Sequence, residues 1–332
     1  MKLNVELTNR SYPVIIEKGI INRIGEYVDL DRKVMIISDT GVPSVYVDVV
    51  KKQCPKVEIH VFPMGEKNKN IVEYEKCLRH LLDCSFGRRD LIIALGGGVV
   101  GDLAGFVAST YKRGIEFVNI PTTTLSQIDS SIGGKVGIDL NGVKNSVGAF
   151  HQPTAVLIDP DTLNTLSTRH FFNGLVEALK MGMTSNEKLV DLLEQDDILS
   201  NIEEILFESL MVKKKVVEED EFETGIRKVL NFGHTIGHAI ESTYELSGLL
   251  HGEAVAVGML KILDNEELKD RLLAIYQKWN LNTEFSYDVN TVYKYMLNDK
   301  KGSGEFVTIV QVETIGRAQL LDVTFEQLKE KL

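Results

Sequence analysis

Residues 34–37, 57–62 and 91–95 are short runs rich in Val, Ile, Leu and Phe, and between them residues 42–52 and 71–82 place their apolar positions at helical spacing. Strands and helices alternating at this interval predict a mostly parallel sheet covered on both faces, with a further strand over 116–120. An opening pair, 2–7 and 12–17, flanks the turn-like Thr8-Asn9-Arg10-Ser11 and predicts a hairpin. Beyond Leu157-Ile158-Asp159-Pro160 the pattern changes, and 174–183, 186–194, 202–219 and 227–245 read as long helices with few strand-like runs. The chain therefore divides near Pro160 into an α/β domain, 1–160, and a mainly helical domain, 161–332.

Within the last helical pattern, Arg227, Asn231, His234, His238 and Glu241 recur at steps of four, three, four and three, which places all five on one side of a helix. Ile226, Val229, Leu230, Ile236, Ala239 and Ile240 take the other faces. A polar stripe is ordinarily a solvated face built from Lys, Glu, Gln and Asp. This one uses two of the chain's seven histidines, and His at i, i+4 can converge on one metal ion or one substrate. His251, in Leu250-His251-Gly252-Glu253, is a third candidate ligand, and together these residues predict a metal site in the helical domain.

The first half carries a different signal. Gly96-Gly97-Gly98-Val99-Val100-Gly101-Asp102 follows an apolar strand and precedes a helical pattern, the setting in which a glycine turn lets backbone N–H groups meet a pyrophosphate at a helix N-terminus. One expected companion is missing, because the 116–120 strand ends on Asn119-Ile120 with no ribose-binding acid, and the glycines come after earlier strand–helix units rather than opening the domain. Residues 121–135 then pack hydroxyls, Asp129, two glycines and Lys135 into one stretch, with Arg113 upstream and Lys144 downstream. Those cations suit a substrate phosphate or carboxylate, and the hydroxyls suit a cofactor.

Composition narrows the partners. With 332 residues, 43% of them hydrophobic, the chain can build one large or two ordinary cores. A net charge of −11 opposes nucleic-acid binding, so an anionic ligand must be small and locally held. Cys54, Cys77 and Cys84 show no CxxC spacing and an odd count, which suggests neither a zinc knuckle nor a disulfide framework but ordinary reduced residues. Residues 1–6 open no apolar stretch of signal-peptide length, and no later run reaches the ~20 residues that span a bilayer. No membrane partner and a cytoplasmic location are expected.

Five blocks resemble the 3-dehydroquinate synthase family: Gly65-Glu66-Lys67-Asn68-Lys69; 96–102; 113–145 with Gly148-Ala149-Phe150; 174–180; and 213–241 with His251. The resemblance runs across nearly the whole chain and implies a dehydroquinate synthase-like fold, with a nucleotide-binding first domain, a metal-binding second domain and an active site between them. It implies zinc, or Co2+ on the same donors, held by Glu177, His234 and His251, with His238 facing the substrate. Further substrate contacts are implied at Lys180, Lys213, Arg227, Asn231, Lys135, Asn145 and Lys300, the last adjoining Lys301. Arg113 matches an arginine that reaches a neighbouring subunit's site, which implies a homodimer.

For NAD, the resemblance implies Asp39, Glu66 and Lys69 around adenosine, and Gly97, Gly98 and Asp102 at pyrophosphate and ribose. Thr122, Thr123, Asp129 and Lys144 fall nearer the nicotinamide, with Asp129 where cofactor and substrate meet. The implied reaction converts 3-deoxy-D-arabino-heptulosonate 7-phosphate to 3-dehydroquinate and phosphate, through transient oxidation by NAD, phosphate elimination, re-reduction, ring opening and aldol closure. The alternatives are a sister sugar-phosphate cyclase and a zinc- or NAD-dependent polyol dehydrogenase of the same architecture.

Overall fold

The computed structural model describes residues 1–8, 10–244, 248–299 and 306–332. The chain forms two compact units, Met1–Ser167 and Thr168–Leu332.

In the first unit, β1 (Lys2–Val5) and β2 (Tyr12–Ile16) form the predicted antiparallel hairpin, with Lys2 opposite Ile15 and Val5 opposite Tyr12. There follow β3 (Lys33–Asp39), α1 (Ser44–Lys51), β4 (Lys56–Phe62), α2 (Ile71–Asp83), β5 (Leu91–Gly96), α3 (Gly98–Thr110) and β6 (Glu116–Pro121). A second hairpin, β7 (Lys135–Leu140) and β8 (Val143–Phe150), and then β9 (Ala155–Ile158) complete the unit. Seven strands lie in the order β1-β2-β9-β6-β5-β3-β4, parallel everywhere except at the β1/β2 pair.

Alternate residues of β3 feed two cores. Val34 and Ile36 pack with Ile20, Ile24, Val47 and Val50 on one face, and Met35 and Ile37 with Leu81, Val100, Leu103 and Val107 on the other. Because both faces are covered, the central strands are continuous apolar runs, as parallel sheets require.

From β3 the chain winds outward in one direction to β4 and in the other to β5 and β6. The carboxyl ends of β3 and β5 therefore meet at a topological switch point, where open α/β sheets bind their ligands. Gly97 caps α3 at the end of β5, and Asp39 ends β3. The glycine turn sits on the second arm of this switch, which is why it does not open the domain.

Where the sequence reads as one hydroxyl-rich loop, the chain forms a π-helical turn over Ser126–Ser130 and the β7–β8 hairpin. Val136 and Ile138 of β7 join the core beside α3. Gln127 Nε2 ties the turn down by donating to Pro121 O (3.0 Å), Asp159 O (3.0 Å) and Thr162 Oγ1 (2.9 Å).

The second unit contains α4 (Thr168–Ser185), α5 (Glu187–Leu193), α6 (Ile202–Glu219), α7 (His234–Thr243), α8 (His251–Ile262), α9 (Glu266–Lys278) and α10 (Val289–Asp299). It ends in the antiparallel pair β10 (Phe306–Thr314) and β11 (Arg317–Thr324) and the short α11 (Phe325–Lys329). The unit is mainly helical, as expected, and this hairpin is its one strand pair among the described residues. Val307, Ile309, Val310 and Val312 of β10 are buried, so it contributes core.

Candidate active site

The helical stripe is also corrected. Residues 226–231 form a 3-10 turn, Ile226–Asn231, and α7 begins only at His234. Gly233 breaks the run with φ 77, in the left-handed region. A Cβ there would lie 2.6 Å from Met259 Cγ and 2.8 Å from the Val255 carbonyl, so only glycine admits this approach of α7 to α8. Gly258 repeats the device from the other side, since its Cβ would fall 2.0 Å from the Gly233 carbonyl. Gly252 does the same toward α4, where a Cβ would fall 2.0 Å from Asn173 O.

These close contacts draw Glu177 of α4, His234 and His238 of α7 and His251 of α8 together. One ring nitrogen from each of the three histidines lies within 4.8 Å of the others. Glu177 Oε1 is 3.6 Å from His234 Nε2 and 3.3 Å from His251 Nε2. The structure thus gathers one donor more than the expected three, with His238 exposed while Glu177 is buried.

Hydrogen bonds fix which atoms face inward. His234 Nδ1 donates to Phe232 O at 3.1 Å, and His251 Nδ1 to Glu241 Oε2 at 3.2 Å, so each Nε2 is left to the cluster. Glu177 Oε2 accepts from Lys180, one turn along α4 and also buried. Glu177 Oε1 is buried with no hydrogen-bond partner.

The electrostatics follow from burial and these partners. Burial works to raise the Glu177 pKa, but Lys180, His234 and His251 outweigh it and hold the carboxyl well below the usual range. Burial pushes His234 down to about 3, against Glu177. Burial acts the same way on His251, yet the Glu177 and Glu241 carboxylates beside it prevail and raise it to about 10. The cluster favours one positive charge between the imidazoles and Glu177, which a proton or a metal ion can supply.

Other expected residues lie in the same unit. Lys213 on α6 and Arg227 are buried, an arrangement that suits an anionic ligand. Arg227 is held by its N–H to Asp220 Oδ2 (3.1 Å) and by Nη1 to Glu221 O (2.5 Å). Asn231 Nδ2 donates to Glu223 Oε1 at 2.9 Å. Arg227 and Asn231 belong to the 3-10 turn and not to α7. Lys300 and Lys301 lie outside the described residues.

At the switch point of the first unit, Asp39 Oδ1 accepts the Gly41 N–H at 2.8 Å, and burial raises the Asp39 carboxyl against its hydrogen bonds from Gly41 and Val42. Gly97 and Gly98 admit close neighbours: a Cβ at Gly97 would lie 3.0 Å from Thr123 Cγ2, and one at Gly98 would lie 3.2 Å from Ser130 Oγ. The Thr123 and Ser126 hydroxyls bond at 2.8 Å, and the Thr122 N–H donates to Gly96 O at 2.9 Å. Asp129 belongs to the adjoining π-helical turn.

Lys69 is the hub beside these residues. Its buried Nζ reaches Glu66 Oε1 (2.7 Å), Asp102 Oδ2 (3.0 Å), Asp139 Oδ1 (3.8 Å) and Asn145 Oδ1 (2.7 Å). Burial alone would lower the Lys69 ammonium, but Asp102, Glu66 and Asp139 outweigh it and raise it. Burial pushes the Asp102 carboxyl up to about 6 despite Lys69. Asn145, implied as a substrate contact, lies against Lys69 in this cluster. Asp139 was missed from the sequence, where it reads only as a polar position in an apolar segment.

Three further cations lie on the β7–β8 hairpin and on the turn after α3. Lys135 is exposed at the start of β7, and Lys144 lies on β8. Arg113 is exposed in a turn where Lys112, Arg113 and Gly114 have φ of 52, 69 and 112, two non-glycine residues in succession held in the left-handed region.

A parallel sheet with a glycine turn at its switch point, in one chain with a helical unit carrying a carboxylate–imidazole cluster, is the dehydroquinate synthase-like architecture, which an iron-containing alcohol dehydrogenase shares at TM-score 0.70 and 16% identity. The structure is similar to a 2-epi-5-epi-valiolone synthase from Streptomyces hygroscopicus with NAD+ and Zn2+ bound, at TM-score 0.89 and 25% identity over 98% of this chain and 97% of that one. It is similar in fold to a 2-deoxy-scyllo-inosose synthase complexed with carbaglucose-6-phosphate, NAD+ and Co2+, at TM-score 0.88 and 24% identity over 100% and 99% of the two chains.

Residues 59–173 match the 3-dehydroquinate synthase N-terminal family and residues 174–302 the C-terminal one. The 3-dehydroquinate synthase of Streptococcus mutans is 44% identical over 353 aligned positions, covering 100% of this chain and 99% of that protein. The chain belongs to the 3-dehydroquinate synthase family, and the activity of that family is the one it carries.

Proposed function

We infer that the chain converts 3-deoxy-D-arabino-heptulosonate 7-phosphate to 3-dehydroquinate and phosphate, with a divalent metal ion on Glu177, His234 and His251 and NAD at the β3/β5 switch point. The observation that carries the metal assignment is the unpartnered, buried Glu177 Oε1, faced by two ring nitrogens whose opposite nitrogens are committed as donors. A tetrahedral zinc with bonds of about 2.0–2.1 Å sets its donors about 3.4 Å apart, close to the 3.3 and 3.6 Å here. One carboxylate and two neutral imidazoles suit Zn2+, and the same set suits Co2+. The identity of 44% with a 3-dehydroquinate synthase, against 24–25% with the other cyclases, favours this reaction over theirs.

When bound, the two groups supply a Lewis acid and a hydride acceptor that is regenerated within each turnover. The chain's own residues bind and orient. Lys180 neutralises the far oxygen of Glu177 and leaves the near one available. The buried Lys213 and Arg227 with Asn231, together with Lys135, Arg113 and Lys300, are assigned to the substrate's phosphate and carboxylate. Cationic side chains hold such groups through charge-assisted hydrogen bonds. His238, exposed beside the buried His234 and the part-buried His251, is assigned to a substrate hydroxyl, as hydrogen-bond partner or proton carrier. Asp39, Glu66, Lys69, Gly97, Gly98, Asp102, Thr122, Thr123, Asp129 and Lys144 are assigned to NAD, with Asn145 now grouped with Lys69.

The exposed, strained Arg113 turn supports a homodimer in which that arginine serves the neighbouring subunit. No helix among the described residues is long and apolar enough to cross a membrane, and with the acidic charge this supports a cytoplasmic location. The test is phosphate release from the named substrate by metal-stripped protein. Release that needs added zinc and catalytic NAD, with no net NADH, is the expected result; release independent of both, or none, would overturn the reading.

A further inference from the structure

Glu58 and His60 lie two residues apart on β4, the edge strand of the sheet, and so share one of its faces. His80 is in the last turn of α2 and Cys84 caps that helix. His80 Nε2 lies 3.8 Å from Glu58 Oε2, and one donor atom from each of Glu58, His80 and Cys84 falls within 4.8 Å of the other two.

A chain of hydrogen bonds leads into this cluster. Glu73 Oε2 holds Lys76 Nζ at 2.9 Å, Glu73 Oε1 meets His60 Nε2 at 3.0 Å, and His60 Nδ1 meets His80 Nδ1 at 3.3 Å. The carboxylate paired with lysine accepts, so His60 donates from Nε2 and keeps Nδ1 as an acceptor. His80 must then donate from Nδ1, which leaves its Nε2 lone pair on the side of the Glu58 carboxylate. A carboxylate behind the imidazoles is the support that metal-ligating histidines receive.

We propose that Glu58, His80 and Cys84 form a second metal site, for a borderline-soft divalent ion such as Zn2+. Thiolate and imidazole together select such ions. Bonds of about 2.3 Å to sulfur and about 2.0–2.1 Å to nitrogen and oxygen need donors roughly 3.3–3.6 Å apart. The side chains of Glu58 and His80 are 49% and 28% exposed, which leaves room for that contraction. Binding replaces the Cys84 S–H proton, released to solvent, by a sulfur–metal bond, and pins edge strand β4 to the end of α2. The site does not depend on the Glu177 cluster, which contains no sulfur.

Metal-stripped, reduced protein is titrated with Co2+ and followed by absorption. Thiolate-to-cobalt charge transfer in the near ultraviolet is expected, with a second equivalent bound per chain beyond the Glu177 cluster. Cys84→Ser and His80→Ala should each remove one equivalent, Cys84→Ser should abolish the charge-transfer band, and phosphate release should be unchanged in both. A wild-type titration without that band would sink the proposal with no variant needed. Persistence of the band in Cys84→Ser would assign it to Cys54 or Cys77 and overturn it as well.

Discussion

His251 donates from Nδ1 to Glu241 Oε2 at 3.2 Å, from one helix to its neighbour. The bond sets the tautomer that turns His251 Nε2 toward Glu177, and it raises the basicity of the ring. Glu241→Gln keeps the shape and an acceptor oxygen but removes the charge. Loss of such a support typically lowers metal affinity roughly 10- to 100-fold. A chelator-competition titration is expected to show that drop, with phosphate release restored at high zinc; unchanged affinity would show that Glu241 does not orient a ligand.

Lys180 and Glu177 form a buried pair on α4, with 1% and 0% exposure. Removing Lys180 leaves the buried Glu177 carboxylate with only the neighbouring imidazoles as partners, and losing one partner of a buried pair costs up to roughly 3–5 kcal/mol. Lys180→Met should therefore lower the urea midpoint of metal-stripped protein. Added zinc should recover part of the loss, because it gives Glu177 a cationic partner again. A stability equal to that of the unmodified chain would mean that Glu177 is compensated elsewhere.

The periodicities that proved readable are those set by burial on defined faces. Residues 34–37 and 91–95 are apolar strands because both faces of a parallel sheet are covered there, 57–62 is the half-exposed edge strand beside them, and 202–219 is a helix to the residue, α6. His234, His238 and Glu241 share α7, as their spacing predicts. The same spacing extended the helix back to Arg227, where it is broken. Nothing in the i, i+4 pattern shows that Met259 and the Val255 carbonyl occupy the space beside Gly233, because that is tertiary packing. The place of Asn145 was hidden for the same reason. Its contact with Lys69 spans a sequence separation of 76, bridged by the fold of β8 and not by any local motif.

Gly258 sets how closely α7 can lie on α8. An added Cβ would fall 2.0 Å from the Gly233 carbonyl oxygen and 2.9 Å from the Gly237 nitrogen, both backbone atoms that cannot rotate away. Gly258→Ala must push the helices apart, and overpacking of this kind costs about 1–3 kcal/mol or more. Since His234 starts one helix and His251 the other, zinc affinity should fall together with thermal stability. A variant that loses stability but binds zinc as tightly would separate the packing role of this glycine from the site.

Asp102 gives the first unit a pH signature. Burial lifts its carboxyl from 3.8 to about 6, with Lys69 opposing. Between those values the folded chain holds a proton that the unfolded chain has released, so this group's contribution to stability falls as pH rises from about 4 to 6. NAD binding should run the other way. A ribose hydroxyl donates to the carboxylate and not to the protonated acid, so affinity should weaken below pH 6, approaching about tenfold per unit. Asp102→Asn should flatten both profiles while lowering affinity at neutral pH. Calorimetric NAD titrations and urea midpoints at several pH values between 4 and 7 measure the two. A wild-type affinity flat across that window would remove Asp102 from the cofactor's contacts, whereas a flat stability profile with pH-dependent binding would place the titrating group elsewhere in the Lys69 cluster.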